Sequence, residues 1–510
     1  MVALNVFERA IAAVRPAWGA QRLAEHMAYA ELQQMARGYD MARRGRRTDG
    51  WMATGGSPNA EAFPALGLSI RRSRDLCRNN EWARNARRKW VSHAVATGIV
   101  PRADTKSKSE KQAAMAAWTS FADNCDPEGL IDFYGLQARV MSEVFTGGAA
   151  FVRWYLRPPS WKLKVPLQCE VLSHEYLDTR RFQMNGGNLV IHGIEFDQYG
   201  RRQAYYLFQQ HPGEVLPSMR SNMQSDRVPA SEVDHIFFPI EEAGLVTGMP
   251  WLIAAALRLR DIADGEEAIL LRHKIAACLA VLVRRQGGAT RALAQAADQG
   301  KDGKGRDIEK LRPGMVGYVE SDGDITVVDP PNPGDTGFVD RNLYAAAAAV
   351  GLTHSSLTGN LSDVNFTSLR EGKLDFWPAL DQAQWFMLIP MLCRPAWRRC
   401  MQAAAGRGLE APADIGAKWS PPKRPWVNPA DDMKAEAGEL ALGFESWADK
   451  VAARGHDPQD LLDDIKEWRA KLAEAGLSPA TPAGIAGDKA QSANGNGGAN
   501  GVRPEPATQE

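Results

Sequence analysis

The chain carries no net charge, no paired cysteines and no apolar run long enough to cross a membrane, and each absence removes a class of function. With 61 basic residues against 61 acidic ones the formal charge is +0, so the molecule as a whole attracts no polyanion. If duplex nucleic acid is a partner, no general basic coat grips it. Six cysteines (Cys77, Cys125, Cys169, Cys278, Cys393 and Cys400) are scattered without a C-x-x-C pair, as expected of reduced, mostly buried thiols in a cytoplasmic protein. Cys393 and Cys400 could share a helix face but stand too far apart for an intrahelical disulfide. The longest apolar runs, at residues 275–283 and 343–350, fall well short of the roughly 20 residues of a membrane span. The N-terminal stretch, with Glu8 and Trp18, lacks the positive-then-apolar layout of a secretory signal, so none is expected.

Catalytic motifs fail in the same way. Gly300-Lys-Asp-Gly-Lys-Gly305 has phosphate-loop glycine spacing, but Arg306 takes the lysine position and Asp307 replaces the hydroxyl that binds magnesium. Thr146-Gly147-Gly148 lacks the later glycines of a dinucleotide turn and reads as a strand entry. His354 beside Ser355 and Ser356 does not make a triad, because adjacent residues rarely meet in that geometry. His174-Glu175 lacks the second histidine of a zinc helix. His235, alternating with apolar neighbours, reads as a satisfied structural histidine. Asp261, Asp264, Glu266 and Glu267 lie among arginines, where salt bridging is the simplest account. No catalytic group, metal or cofactor is expected, and the chain does not read as an enzyme.

What is present is organised around residues 339–377. Asp340 to Val350 is dense in strong helix formers, with Asp340 at the positive end of the dipole. Gly351 can take the left-handed turn that stops the helix. Thr358-Gly-Asn-Leu-Ser-Asp-Val-Asn-Phe-Thr-Ser368 is polar with one acidic group, and helical pattern resumes from Leu369 through Trp377 into Pro378. A long polar loop between two helices, with no reactive side chain, predicts a surface against which something slides or docks.

In chain order, residues 1–67 read as a basic helical arm and an extended connector, with Arg43, Arg44, Arg46 and Arg47 a solvated or mobile run. Two helices follow, broken near Asn79-Asn80. In the second, Trp82, Ala86, Trp90 and Ala94 share a face, and Arg84, Arg87, Arg88 and Lys89 lie mainly opposite. These arginines either snorkel around a core or meet carboxylates of a neighbouring subunit. Residues 108–146 read as helices. Strand composition marks residues 149–156, 167–172, 189–196, 204–208 and 233–238. Gly248-Met-Pro-Trp251 is expected to open a long helix, with Pro250 in its first turn, running to about Val283 and bent or divided at Gly265. Residues 284–333 form an insertion with short strands at 315–319 and 324–328. Beyond the polar loop, 374–401 is helical, aromatic and broken around Pro390 and Pro395. An extended strap covers 419–426, two or three helices follow to 477, and residues 478–510 have the composition of disorder. The pattern predicts an α+β fold of roughly two to four compact regions.

The order of several short motifs resembles the lambda-type tailed-bacteriophage portal protein family. They are Arg74-Asp-Leu-Cys-Arg-Asn-Asn80, Ala96-Thr-Gly-Ile99, Gly248-Met-Pro-Trp251, Lys274-Ile-Ala-Ala-Cys278, Leu311-Arg-Pro-Gly314, Asn365-Phe-Thr-Ser-Leu-Arg370, and Trp419 with Pro425-Trp-Val-Asn-Pro429. Cys77 and Glu81 depart from the family pattern, which has an apolar residue and a proline there. The resemblance implies a ring-forming protomer, usually a dodecamer, at one capsid vertex, through which double-stranded DNA is packaged and ejected. It implies a wing at 68–247, a stem helix at 248–283, a clip at 284–333 and a second stem helix at 334–354. A tunnel loop and the start of its helix follow at 355–376, then wing-return helices and strap at 377–430 and crown helices at 431–477.

On that reading Asn360, Ser362, Asn365 and Thr367 face the channel, and Arg370 or Lys373 supplies sparse basic contact. Arg306, Lys310 and Arg312 in the clip meet the terminase large subunit and later the head–tail connector protein. Arg84, Arg87 and Arg88 form an inter-subunit basic helix. Further implied partners are the major capsid and scaffold proteins, with no membrane. The implied location is the virion's portal vertex, and the host cytoplasm during assembly. A rival placement puts the polar loop in a dry inter-subunit joint. Two other functional readings are a nuclease or motor subunit of the packaging machinery, and a capsid-associated scaffold without a channel.

Overall fold

The computed structural model describes residues 54–214, 224–278, 281–284, 300–301, 307–308, 316–319 and 337–476 save 363, 427, 455 and 457, with positions 16, 20, 21, 24, 27, 49 and 50. Backbone contacts divide the chain between Ala60 and Glu61, and most of the described residues belong to the larger unit.

Helices α1 (Pro58–Asn79) and α2 (Glu81–Ala94) meet at Asn80, which caps α2 by accepting from the Ala83 N–H at 3.0 Å. The side-chain cap is why a helix restarts there. Strand β1 (Val100–Ala103) leads to α3 (Lys108–Ala122) and α4 (Phe133–Gly147), each capped by a short polar side chain, Ser107 and Asp132. Trp118, Phe121, Phe133 and Phe145 from these two helices are almost wholly buried. Burial of aromatic surface on this scale dominates core energetics. Trp90, Trp397 and Trp419 join the same cluster, so elements far apart in sequence share one core.

Two antiparallel sheets follow. Strands β2 (Ala149–Leu156) and β3 (Leu167–Ser173) begin the first. Strands β4 (Gln183–Asn185), β5 (Asn188–Ile191), β6 (Ile194–Phe196), β7 (Arg202–Phe208) and β8 (Ser225–Pro229) make the second, in sequential order. Strand β9 (Val233–Phe237) returns beside β2, giving the order β3-β2-β9. Residues 189–196 are therefore not one strand. His192 and Gly193, both with positive φ, turn the chain into a hairpin.

Gly248 does not open a helix. A Cβ on Gly248 would lie 2.1 Å from the Gly148 carbonyl oxygen, and one on Gly148 would lie 2.4 Å from that of Gly248. The two backbones touch, and glycine at both places is the condition for it. The Trp251 N–H is held by the Phe145 carbonyl at 3.1 Å. Turns fill residues 251–255, and α5 runs Ala256–Cys278 without division at Gly265. A Cβ there would come no nearer than 3.8 Å to the Phe338 ring. The helix ends earlier than expected, because residues 281–284 form strand β10 (Val281–Arg284). Short strands β11 (Gly300–Lys301) and β12 (Asp307–Ile308) pair with each other, and β13 (Val316–Val319) runs parallel to β10. The strand expected at 324–328 lies outside the described residues.

Helices α6 (Gly337–Ala349), α7 (His354–Thr358) and α8 (Phe366–Ala383) carry the polar segment. The chain then continues as a π-helix, Gln384–Cys393, into α9 (Arg394–Gly406). Pro378, Pro390 and Pro395 do not break this rod. Wide i→i+5 turns accommodate Pro390, and Pro395 sits in the first turn of α9, where its missing N–H has no helical partner to lose. Strand β14 (Ala417–Ser420) pairs antiparallel with β1, matching Val100 to Ser420. Helices α10 (Pro429–Leu442), α11 (Trp447–Ala453) and α12 (Pro458–Glu474) complete the described chain.

Between the two sheets a buried polar chain is fully satisfied. The Gly147 carbonyl accepts from His174 Nδ1 at 2.6 Å, which fixes the proton on that nitrogen. His174 Nε2 then accepts from the Thr247 hydroxyl at 2.9 Å, and Thr247 accepts from His235 Nε2 at 3.2 Å. His235 Nδ1 is left to accept from Arg202, which also donates to the Val246 carbonyl. His235 is thus structural, as its sequence context indicates.

Candidate functional site

The candidate segment starts where α6 stops. Gly351, at φ 67°, ends the helix, and the Leu352 N–H returns to the Ala347 carbonyl at 2.9 Å. Thr353 caps α7 through the Ser356 N–H, and Gly359 closes it. Asn360 Oδ1 accepts from both the backbone N–H and the hydroxyl of Ser362, at 3.0 and 2.7 Å. Asn365 and Ser368 form a reciprocal capping box that starts α8 at Phe366, three residues before the periodic pattern suggests. The exposed polar side chains therefore shape the bridge as well as presenting it. Asn360, Ser362, Asn365 and Thr367 are all exposed.

Helix α2 fastens the root of this bridge. Asn85 Nδ2 donates to the carbonyls of Ser356 and Leu357 at 3.0 and 2.7 Å. Trp90 Nε1 donates to the Val350 carbonyl at 2.9 Å. The Trp90 ring sits edge-on to Trp251 and Phe376, with centroids 4.7 and 5.1 Å away. On the far side a Cβ at Gly372 would lie 2.7 Å from Thr353 Cγ2, so α8 crosses the start of α7 with no room to spare. Sequence reasoning missed Asn85 and Gly372. The one available signal was an asparagine on the apolar side of an arginine-rich helix.

Arg370 and Lys373 stand one turn apart on α8 and meet different neighbours. Arg370 lines a cavity of about 730 Å³ with Leu374, Trp377, Arg424 and Trp426. Arg424 stacks over Trp377 at 5.1 Å and pairs with Asp381. Lys373 faces α2, where burial, then Lys89 and Lys373, pull the His93 pKa down.

Arg84 and Arg88 are exposed and Arg87 is half-buried. None of the three forms an ion pair among the described residues. Arg306, Lys310 and Arg312 lie outside the described residues. Among the described residues no group of His, Cys, Asp and Glu is placed to hold a metal ion. No described helix is long and apolar enough to cross a membrane.

A family model, phage portal protein of the lambda family, matches residues 44–384. The probable portal protein of Halomonas phage phiHAP-1 is 23% identical over 457 residues, covering 85% of this chain and 86% of that one. Two solved structures, the virion of a native gene transfer agent particle and the neck of that particle computed with C12 symmetry, are 12% and 15% identical. Each comparison covers 76% of this chain and 94% of the other at a TM-score of 0.39. With its family model matched across residues 44–384, the chain belongs to the lambda family of phage portal proteins, which are structural and not enzymatic.

Proposed function

We propose that copies of this chain close into a dodecameric ring at one vertex of a capsid, and that the bridge between α7 and α8 lines its passage for double-stranded DNA. The observation that carries this reading is the bridge itself. Its hydroxyl and amide side chains are exposed, its backbone is held by local caps, and its root is fixed by Asn85 and Trp90. A passage for moving duplex must not hold it, and neutral polar groups offer contact without the salt-sensitive grip of a lysine array.

In this reading residues 68–247 form the wing, α5 and α6 the stem, residues 284–333 the clip and residues 431–477 the crown. The clip serves as docking platform for the terminase large subunit and then for the head–tail connector, through Arg306, Lys310 and Arg312. Major capsid and scaffold proteins surround the wing. The protein acts in the virion after assembly in the host cytoplasm. Ser362→Lys adds one cation per copy around the lining, so packaging and ejection should slow and the slowing should weaken with added salt. Unchanged DNA movement across salt concentrations would place the bridge away from the duplex.

A further inference from the structure

Cys125 and Cys169 come from different elements and meet inside the core. Cys125 lies in the turn after α3, and Cys169 stands in β3 opposite Trp154. The Cys169 N–H donates to the Cys125 carbonyl at 2.9 Å. Gln168 fastens the same turn, its amide donating to the Asn124 carbonyl at 3.0 Å and to that of Asp126 at 3.4 Å. A backbone hydrogen bond of ordinary length leaves the two Cα atoms about 5–6 Å apart, within the roughly 4.4–6.8 Å that a disulfide spans. Both residues are wholly buried and both are free thiols. Burial, and then a hydrogen bond with the Cys125 thiol, holds the Cys169 pKa well above its ordinary value, so the two side chains are in reach of each other. The neighbours of Cys393, Cys400 and Cys77 are different. Burial alone raises the first two, and Cys77 meets the Thr146 hydroxyl.

The two positions are not equally sheltered. Asp123 and Asn124, just before Cys125, are exposed, and so are Glu128, Gly129 and Leu130 just after it. Local opening of this surface turn therefore bares Cys125. Cys169 is bonded through β3 to β2 along the whole strand and stays in place when the turn opens.

We infer that Cys125 and Cys169 form a disulfide when the protein meets an oxidising thiol–disulfide medium, with Cys125 attacking first and Cys169 resolving. The oxidant is a small disulfide of the glutathione class. The Cys125 thiolate attacks one of its sulfurs and expels one glutathione thiolate. The Cys169 thiolate then attacks the Cys125 sulfur of the mixed disulfide and expels the second. The two protons lost by the protein thiols leave on two glutathione molecules, so the cysteine pair is oxidised and one glutathione disulfide is reduced. The cross-link ties the α3–α4 turn to the first sheet and closes a loop through α4 and β2, which restricts the unfolded chain and stabilises the fold. A reducing cytoplasm keeps the pair open, and an extracellular medium closes it. The step needs one folded protomer and does not depend on the ring reading.

The test starts from full-length wild-type protein held in native, mildly alkaline buffer with oxidised glutathione. Free thiols are then blocked under denaturing conditions and the digest is read by mass spectrometry. The Cys125 and Cys169 peptides should appear joined, while Cys77, Cys393 and Cys400 are recovered blocked. The joined protein should unfold on the order of 5 °C above the reduced one, and dithiothreitol should abolish the rise. Cys169→Ser should retain one glutathione on Cys125, whereas Cys125→Ser should retain none on Cys169. Where a serine variant fails to fold, the wild-type peptide map and melting shift still decide.

Cys125 and Cys169 recovered as separate blocked thiols, or joined only after denaturant is added, would overturn the inference. So would a joined protein that melts no higher than the reduced one. Glutathione retained on Cys169 in the folded Cys125→Ser protein would overturn the assigned order of attack.

Discussion

The chain from His174 through Thr247 to His235 is satisfied only when both rings are neutral. Burial pulls the His174 pKa down to about 4, and burial together with Arg202 pulls His235 well below its ordinary value. Both rings therefore bind fewer protons folded than unfolded. The stability they contribute is complete above the unfolded value, near pH 6.5, and falls as pH drops below it; the His174 share is lost down to about pH 4, at about 1.4 kcal/mol per pH unit. Denaturant unfolding at pH 7 and pH 5 checks this. His174→Gln should be less stable at pH 7 yet flatter with pH, and an unaltered slope would show that the ring already titrates in the fold. Asn85 is the second residue with a large expected effect. Asn85→Ala leaves the Ser356 and Leu357 carbonyls without their donor and should cost about 1–3 kcal/mol. Hydrogen exchange should report faster opening of residues 353–362, and protection equal to wild type would remove α2 as the anchor of the bridge.

At the scale of elements, the two glycines of the helical pairings behave oppositely. Gly372→Ala forces a methyl group against Thr353 and should destabilise by about 1–3 kcal/mol, as overpacking does. Gly265→Ala meets only an ordinary contact with Phe338 and removes a weak spot in α5, so it should be neutral or stabilising by up to about 1 kcal/mol. Thermal unfolding of both variants decides, and equal shifts would contradict the crossing geometry. The same contrast explains what the sequence could disclose. Helix α6, its stop at Gly351 and the polar bridge were legible because propensity and capping are local. The start of α8 was misplaced by three residues because Asn365 and Ser368 cap each other, a pairing that apolar periodicity does not register. Gly248 was mistaken for a helix opening because its requirement comes from Gly148, in a different part of the chain. Pro390 was mistaken for a break because a π-helix absorbs it only in a buried setting supplied by Met387, Leu388 and Leu392. The hairpin at His192 and the β1–β14 pairing were missed for a similar reason, since a short turn and a distant partner leave little periodic signal.

At the scale of the whole molecule, one aromatic core ties α2, α3, α4, α9 and β14 together, and a second, smaller cluster lies around Phe151, Tyr205 and Leu207. Trp118 is 1% exposed and lies against Phe121, Phe133, Trp397 and Trp419. Trp118→Ala should therefore cost about 3–5 kcal/mol and loosen residues near both ends of the described chain at once. This shared core gives the bridge a fixed support, because α2 both enters the core and holds the bridge's root. The family assignment was legible from the order of weak motifs. That Asn360, Ser362, Asn365 and Thr367 are exposed together followed from the polar run, whereas the different neighbours of Arg370 and Lys373, the Arg424 cavity and α2, come from distant parts of the chain and left no local signal. The most direct test is a cryo-electron microscopy reconstruction of the assembled wild-type protein. The account predicts a closed ring with residues 358–368 at its smallest inner radius, and a bridge on the outer rim, or particles that never close, would contradict it.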